Sequence, residues 1–223
     1  MSEAILKLET VDDILRNVIL SPEQVAHLFA KIKDAEEPKV TKIDLRGLNI
    51  TLVSPDLLAG VASRVKHLKL LESAVTPDQV SAIFTMMASQ QDGELKLKDL
   101  QLEKVDLRSV APEVLVGGIS KLGSIRFDRA RLTTDQLNAI LVMVCEGQHG
   151  KLTTLFIDHS DVIGTISPDL LQSAIKAGKG VLNIHPRPGA TDAEVAFWDT
   201  ELDFGNMDLG NLEQMVGLLA DLL

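Results

Sequence analysis

Thr76-Pro77-Asp78 opens a run in which Val80, Ile83, Phe84 and Met87 recur at helical spacing, and that run leads to Leu97-x-x-Leu100-x-Leu102. The first part reads as a capped helix with one apolar face. Threonine at a cap accepts a bond from a backbone N–H that has no partner in the helix. Proline at the first helical position lacks a donor that would have gone unpaired, and the acid after it faces the positive end of the helix dipole. The second part reads as a short strand, because alternation with period two buries one of its faces.

The same two phrases recur along the chain. Helix starts stand at Ser21-Pro22-Glu23, Ser54-Pro55-Asp56, Thr76-Pro77-Asp78, Ala111-Pro112-Glu113, Thr133-Thr134-Asp135 and Ser167-Pro168-Asp169, so successive starts lie 33, 22, 35, 22 and 34 residues apart. A long unit alternates with a short one. The strand phrases are Val40-x-x-Ile43-x-Leu45, Val65-x-x-Leu68-x-Leu70, Leu97-x-x-Leu100-x-Leu102, Leu122-x-x-Ile125-x-Phe127 and Leu152-x-x-Leu155-x-Ile157. A sixth, Val181-Leu182-Asn183-Ile184, is slipped by about one residue. Self-similarity on this scale predicts an α/β solenoid with a parallel sheet. Ala111 departs from the capping rule, and its helix is expected to be the least well anchored.

These strand phrases resemble the leucine-rich repeat signature L-x-x-L-x-L-x-x-N. The alternating unit lengths are similar to the ribonuclease-inhibitor type of repeat, also found at the ligand-sensing end of NOD-like immune receptors. The resemblance covers roughly residues 10 to 190 and implies a horseshoe with a concave parallel sheet and convex helices. One position departs from it. Where the family places Asn or Cys to satisfy loop backbone groups, this chain has Leu48, Ser73, Val105, Ala130 and Ser160. Packing or water is expected to replace that polar ladder.

Composition agrees with a single domain of 223 residues, 45% hydrophobic and 3% aromatic, in which aliphatic residues fill the core layers. Residues 1–20 are expected to form an N-terminal cap, 21–190 the six repeats and 191–223 an acidic C-terminal cap. That last segment holds Asp192, Glu194, Asp199, Glu201, Asp203, Asp208, Glu213 and Asp221 with no Lys or Arg, against a net charge of −10 for the whole chain. Its helix from Leu209 to Leu222, with Phe197, Trp198 and Phe204 before it, suits a cover for the last repeat or a dock for a basic partner. The single cysteine, Cys145, excludes an intramolecular disulfide framework. With no visible signal peptide and no run of 18 apolar residues, the expected compartment is the cytosol, with no membrane association. Asn49-Ile50-Thr51 matches a glycosylation acceptor, which that compartment leaves unused.

In a repeat of this kind the outward strand positions form columns on the concave face. The central column reads Asp44, Lys69, Gln101, Arg126, Phe156 and Asn183. One flank reads Lys42, His67, Asp99, Ser124 and Thr154; the other reads Arg46, Leu71, Glu103, Asp128, Asp158 and His185. Six strands make a face about 24 Å across. It offers about 800 Å² to a partner. Neighbouring opposite charges could pair with each other or with a ligand. Phe156 could anchor a partner or pack against Arg126.

Motifs for chemistry are missing. No phosphate-binding loop is present, since Ala177-Gly178-Lys179-Gly180 reads as a helix-ending turn. Asp158, His159 and Asp161 are a weak metal pattern without a second ligand pair, and neither a metal nor a cofactor is expected. Cys145 reads as a buried thiol, with His149 as an unsupported base. No concentrated basic surface suggests nucleic acid. The expected protein is therefore non-enzymatic. It binds a protein or peptide through Lys42, Asp44, Arg46, His67, Lys69, Leu71, Asp99, Gln101, Glu103, Arg126, Asp128, Phe156 and Asp158. An innate-immune recognition protein that senses a microbial ligand is the alternative implied by the resemblance. A monomer is favoured, with other oligomeric states left open.

Overall fold

The computed structural model describes residues 22–34, 40–91, 95–158 and 162–185. The expected N-terminal cap and the acidic C-terminal segment lie outside these residues, as do Ser21, His159, Ser160 and Asp161. Six helices alternate with six strands: α1 Pro22–Asp34, β1 Lys42–Asp44, α2 Pro55–Ala62, β2 His67–Leu71, α3 Pro77–Ser89 and β3 Asp99–Glu103. The order continues with α4 Pro112–Ile119, β4 Ser124–Asp128, α5 Thr134–Cys145, β5 Thr154–Asp158, a 3₁₀ turn Ile163–Thr165, α6 Pro168–Ala177 and β6 Leu182–His185. The strands form one sheet in chain order, every neighbouring pair parallel. The arrangement is solenoid-like, each helix packing on the next and each strand on the next.

The helices begin where the sequence punctuates them. Ser54, Thr76, Thr133 and Ser167 each accept a bond from the backbone N–H three residues on. Ala111 has the same extended backbone but no side-chain bond to offer. Along β2 to β5 burial alternates, as in β3, where Leu100 and Leu102 are buried and Asp99, Gln101 and Glu103 are half-buried; β1 departs, with Ile43 and Asp44 both buried. The inward strand residues and the helix stripes share one continuous core that includes Phe29, Leu70, Phe84, Leu102, Phe127 and Ile157. The core therefore lies between the sheet and the helices, and the described helices leave the other side of the sheet uncovered.

Two devices satisfy the loop backbone groups in place of a polar ladder. Leu48, Val105 and Ala130 pack into or against the core, and the Ser73 hydroxyl donates to the Leu45 carbonyl at 2.6 Å. The larger contribution comes from two buried glutamines. The Gln79 amide donates to the carbonyls of Ile50 and Val53, both at 2.6 Å, and its carbonyl oxygen accepts from the Thr76 N–H at 2.8 Å. Gln136 repeats this with Leu107, Val110 and Thr133 at the same distances. Each glutamine closes the capping box of its own helix and holds a loop one repeat earlier, Gln79 the loop after β1 and Gln136 the loop after β3. The Asn49↔Ala74 and Asp106↔Arg131 bridges fix the same two loops.

Candidate functional site: the accessible sheet face

The strand register places the sequence-predicted columns side by side. Asp44 pairs with Lys69, Lys69 with Gln101, Gln101 with Arg126, Arg126 with Phe156, and Phe156 with Asn183. Lys42, His67, Asp99, Ser124 and Thr154 align likewise. So do Leu71, Glu103, Asp128, Asp158 and His185. Arg46 joins the last column because the ladder runs beyond β1, with the Gly47 N–H donating to the Leu71 carbonyl at 3.0 Å. The slip before β6 is absorbed ahead of the strand, so Asn183 stays in register.

Side-chain geometry divides the face. Arg126 lies over the Phe156 ring, 4.4 Å from guanidinium to centroid, and its Nε is 3.4 Å from Asp158 Oδ2. Phe156 is half-buried beneath that cation. Asp99 receives the Gln101 amide at 3.1 Å and lies 3.7 Å from His67 Nδ1. Arg129 bridges Glu103 and Asp128 at the strand ends. Asp44 is 3% exposed and turns back on its own strand, accepting the Arg46 N–H at 3.1 Å. Its burial withdraws it from the surface a ligand could touch. Lys69 is half-buried in the middle of the face and makes no ion pair among the described residues.

The outcome is a bipolar surface. Around β1 and β2 the accessible charged and titratable groups are Lys42, Arg46, His67 and Lys69. Around β3 to β5 they are Asp99, Glu103, Asp128 and Asp158, partly balanced by Arg126 and Arg129. The strand-end rim adds Glu72, whose carboxyl is held below the usual range by the Lys104 ammonium that hydrogen-bonds it. On the adjoining loop the Arg108 guanidinium hydrogen-bonds Asp106 and holds its carboxyl low in the same way. Such a face can ion-pair, hydrogen-bond and stack.

Elsewhere the chemistry is thin. Burial pushes the Cys145 thiol up, so it does not present a thiolate near neutral pH. Among the described residues no group of three His, Cys, Asp or Glu side chains could hold a metal ion. Of the weak metal pattern, His159 and Asp161 lie outside the described residues. A furrow of about 540 Å³ between α2 and α3 is lined mainly by small side chains such as Ala59, Gly60, Ser81 and Ala82. Asp56 and Asp78, also in its lining, already serve the starts of those two helices. No helix among the described residues is long and apolar enough to cross a membrane.

The sequence reading missed the glutamines, although a signal was available. Gln24, Gln79 and Gln136 hold the third helical position of the long units, where the short units have Leu57, Val114 and Leu170. A scan of the chain against protein families finds no match, and a search of curated proteins finds none.

Proposed function

We propose that this chain is a leucine-rich-repeat-like solenoid that binds a protein or peptide on the accessible, concave face of its sheet, without catalysis. The observation that supports this is the set of three in-register columns of polar side chains on a sheet face that the described helices leave uncovered. A layer whose outward charges divide into a basic and an acidic half and include a cation-capped ring suits a polypeptide ligand. Charge complementarity sets the register of such a ligand and suppresses wrong partners. The ligand lies with acidic groups toward Lys69 and His67 and basic groups toward Asp128 and Asp158, and separate apolar residues, about 14 Å apart, reach Leu71 on β2 and Phe156 on β5.

The test is affinity capture with the native chain, the Lys69→Ala variant and the Arg126→Ala/Phe156→Ala double variant, each checked for an unchanged circular dichroism spectrum. A specific protein captured by the native chain should weaken with Lys69→Ala and be lost with the double variant. Capture equal across all three would overturn the assignment of this face.

A further inference from the structure

The loop after β5 repeats the two loops that the buried glutamines hold. In each, two aliphatic residues three apart close a turn just before a helix start. The Val53 N–H donates to the Ile50 carbonyl at 2.9 Å, the Val110 N–H to the Leu107 carbonyl at 2.9 Å and the Ile166 N–H to the Ile163 carbonyl at 3.1 Å. Gln79 on α3 and Gln136 on α5 donate across to the first two turns. They arrive there because α3 packs on α2, and α5 on α4. The third turn precedes α6, which is the last described helix, so no described residue stands where a third glutamine would.

Burial marks the same place. Ile166 keeps 7% of its surface exposed and Leu171 on α6 keeps 8%, whereas their counterparts Val53, Val110, Leu58 and Leu115 keep 2% or less. Ile163 is half-buried, where Ile50 and Leu107 are fully buried. In a stacked array, surface of this kind is covered by the next unit.

The sequence beyond β6 spells that unit. Leu71, Asp128 and His185 share one register column of the sheet. Thr76 follows Leu71 by five residues and Thr133 follows Asp128 by five, while Thr191 follows His185 by six. The connection after β5 is longer by one residue too, since Ser167 stands nine past Asp158 and Ala111 eight past Glu103. Thr191-Asp192-Ala193-Glu194 is a capping-box phrase, with Glu194 at the third helical position that Gln79 and Gln136 hold. Val195, Trp198 and Leu202 then match Val80, Ile83 and Met87 of α3, and Leu137, Ile140 and Val144 of α5. Asp199 departs, standing where Phe84 and Leu141 are buried. A terminal unit carries such polar departures, because no further repeat packs on it.

We propose that the flank of the last described repeat, α6 with the loop after β5, is an interaction surface, and that its occupant is residues 191–202 of the same chain, docked as a further helix in the way α3 docks on α2. Glu194 makes this dock weaker than the two interior ones. Its carboxylate accepts from the Thr191 N–H and closes the capping box. An ionised carboxylate has no N–H to donate to the Ile163 and Ile166 carbonyls, so the glutamine clasp is only half made. The contact lies on the helix layer and not on the sheet face, and it stands or falls separately from the proposed partner site.

Trp198 is the chain's one tryptophan and reports on the dock. Its counterparts Ile83 and Ile140 are buried. In the native full chain, acrylamide should quench Trp198 emission several-fold less steeply than in the urea-unfolded chain, at any protein concentration. Glu194→Gln supplies the missing N–H groups. It should raise the urea midpoint of the Trp198 signal and slow amide exchange in α6 and β6 about tenfold, with β1 unchanged. Quenching as steep as in urea would overturn the proposal, and so would a Glu194→Gln variant that behaves as the native chain does. Shielding of Trp198 that grows with protein concentration would place a second copy on this flank and overturn it as well.

Discussion

At the scale of single residues, the strand ends show a cost that the sequence conceals. Gly47, Glu72, Lys104 and Arg129 each stand two residues past the last inward strand residue, and their φ values are 70, 54, 58 and 51°. Glycine takes this left-handed conformation without penalty, whereas an L-residue loses about 1–2 kcal/mol there. The side chains return part of that cost: Lys104 pairs with Glu72, and Arg129 with Glu103 and Asp128. An exposed pair is worth about 0–1 kcal/mol. Lys104→Gly should therefore leave stability unchanged or raise it by up to about 1 kcal/mol in urea titration. Lys104→Val, β-branched at the same φ, should lose about 1–3 kcal/mol. If the glycine variant proves the weaker of the two, the ion pair and not the backbone governs this position.

At the scale of elements, helices and strands were legible because each carries its own punctuation. The Ser/Thr-Pro-acid starts and the alternating strand phrases are local signals, and five of the six strand phrases align in the sheet without adjustment. What stayed hidden depends on two repeats at once. Gln79 reads as an ordinary third helical residue, yet it is 1% exposed and bonds to a loop 26 and 29 residues earlier. The site was legible to a similar degree. Its columns follow from register alone, while the burial of Asp44 and the placing of Arg126 over Phe156 depend on side-chain conformation. Replacing Gln79 by Met keeps its bulk but leaves the Val53 carbonyl and the Thr76 N–H without their partners, while the Ile50 carbonyl keeps the Val53 N–H at 2.9 Å. Buried unsatisfied groups cost about 1–3 kcal/mol each, so a loss of about 2–4 kcal/mol is expected in urea titration. A loss under about 1 kcal/mol would show that water reaches the loop. Ala111→Ser works in the opposite direction. The backbone there, φ −61° and ψ 139°, already has cap geometry. The new hydroxyl should gain about 1 kcal/mol and raise the melting temperature.

At the scale of the whole molecule, stability is distributed along one dimension, because each repeat packs on its sequence neighbours. The passage between α3 and α4 is where this can be tested. A Cβ on Gly118 would meet Phe84 Cδ1 at 2.9 Å, Met87 Cε at 3.2 Å and the Phe84 carbonyl oxygen at 3.3 Å. Phe84 and Met87 are fully buried, so neither can swing away, and the two helices approach this closely because residue 118 has no side chain. Gly118→Val should therefore separate α3 from α4 and lose about 1–3 kcal/mol, the usual range for overpacking. The location of the loss is the sharper result. In a repeat array stability is roughly a sum of unit and nearest-neighbour terms. Native-state hydrogen exchange should then show the largest fall in protection at α3, β3, α4 and β4. Amides of β1 and β6, which open from the ends by a separate route, should change far less. A uniform fall across all six strands would mean that the sheet unfolds as one cooperative block, and that neighbouring repeats are coupled more strongly than their pairwise packing implies.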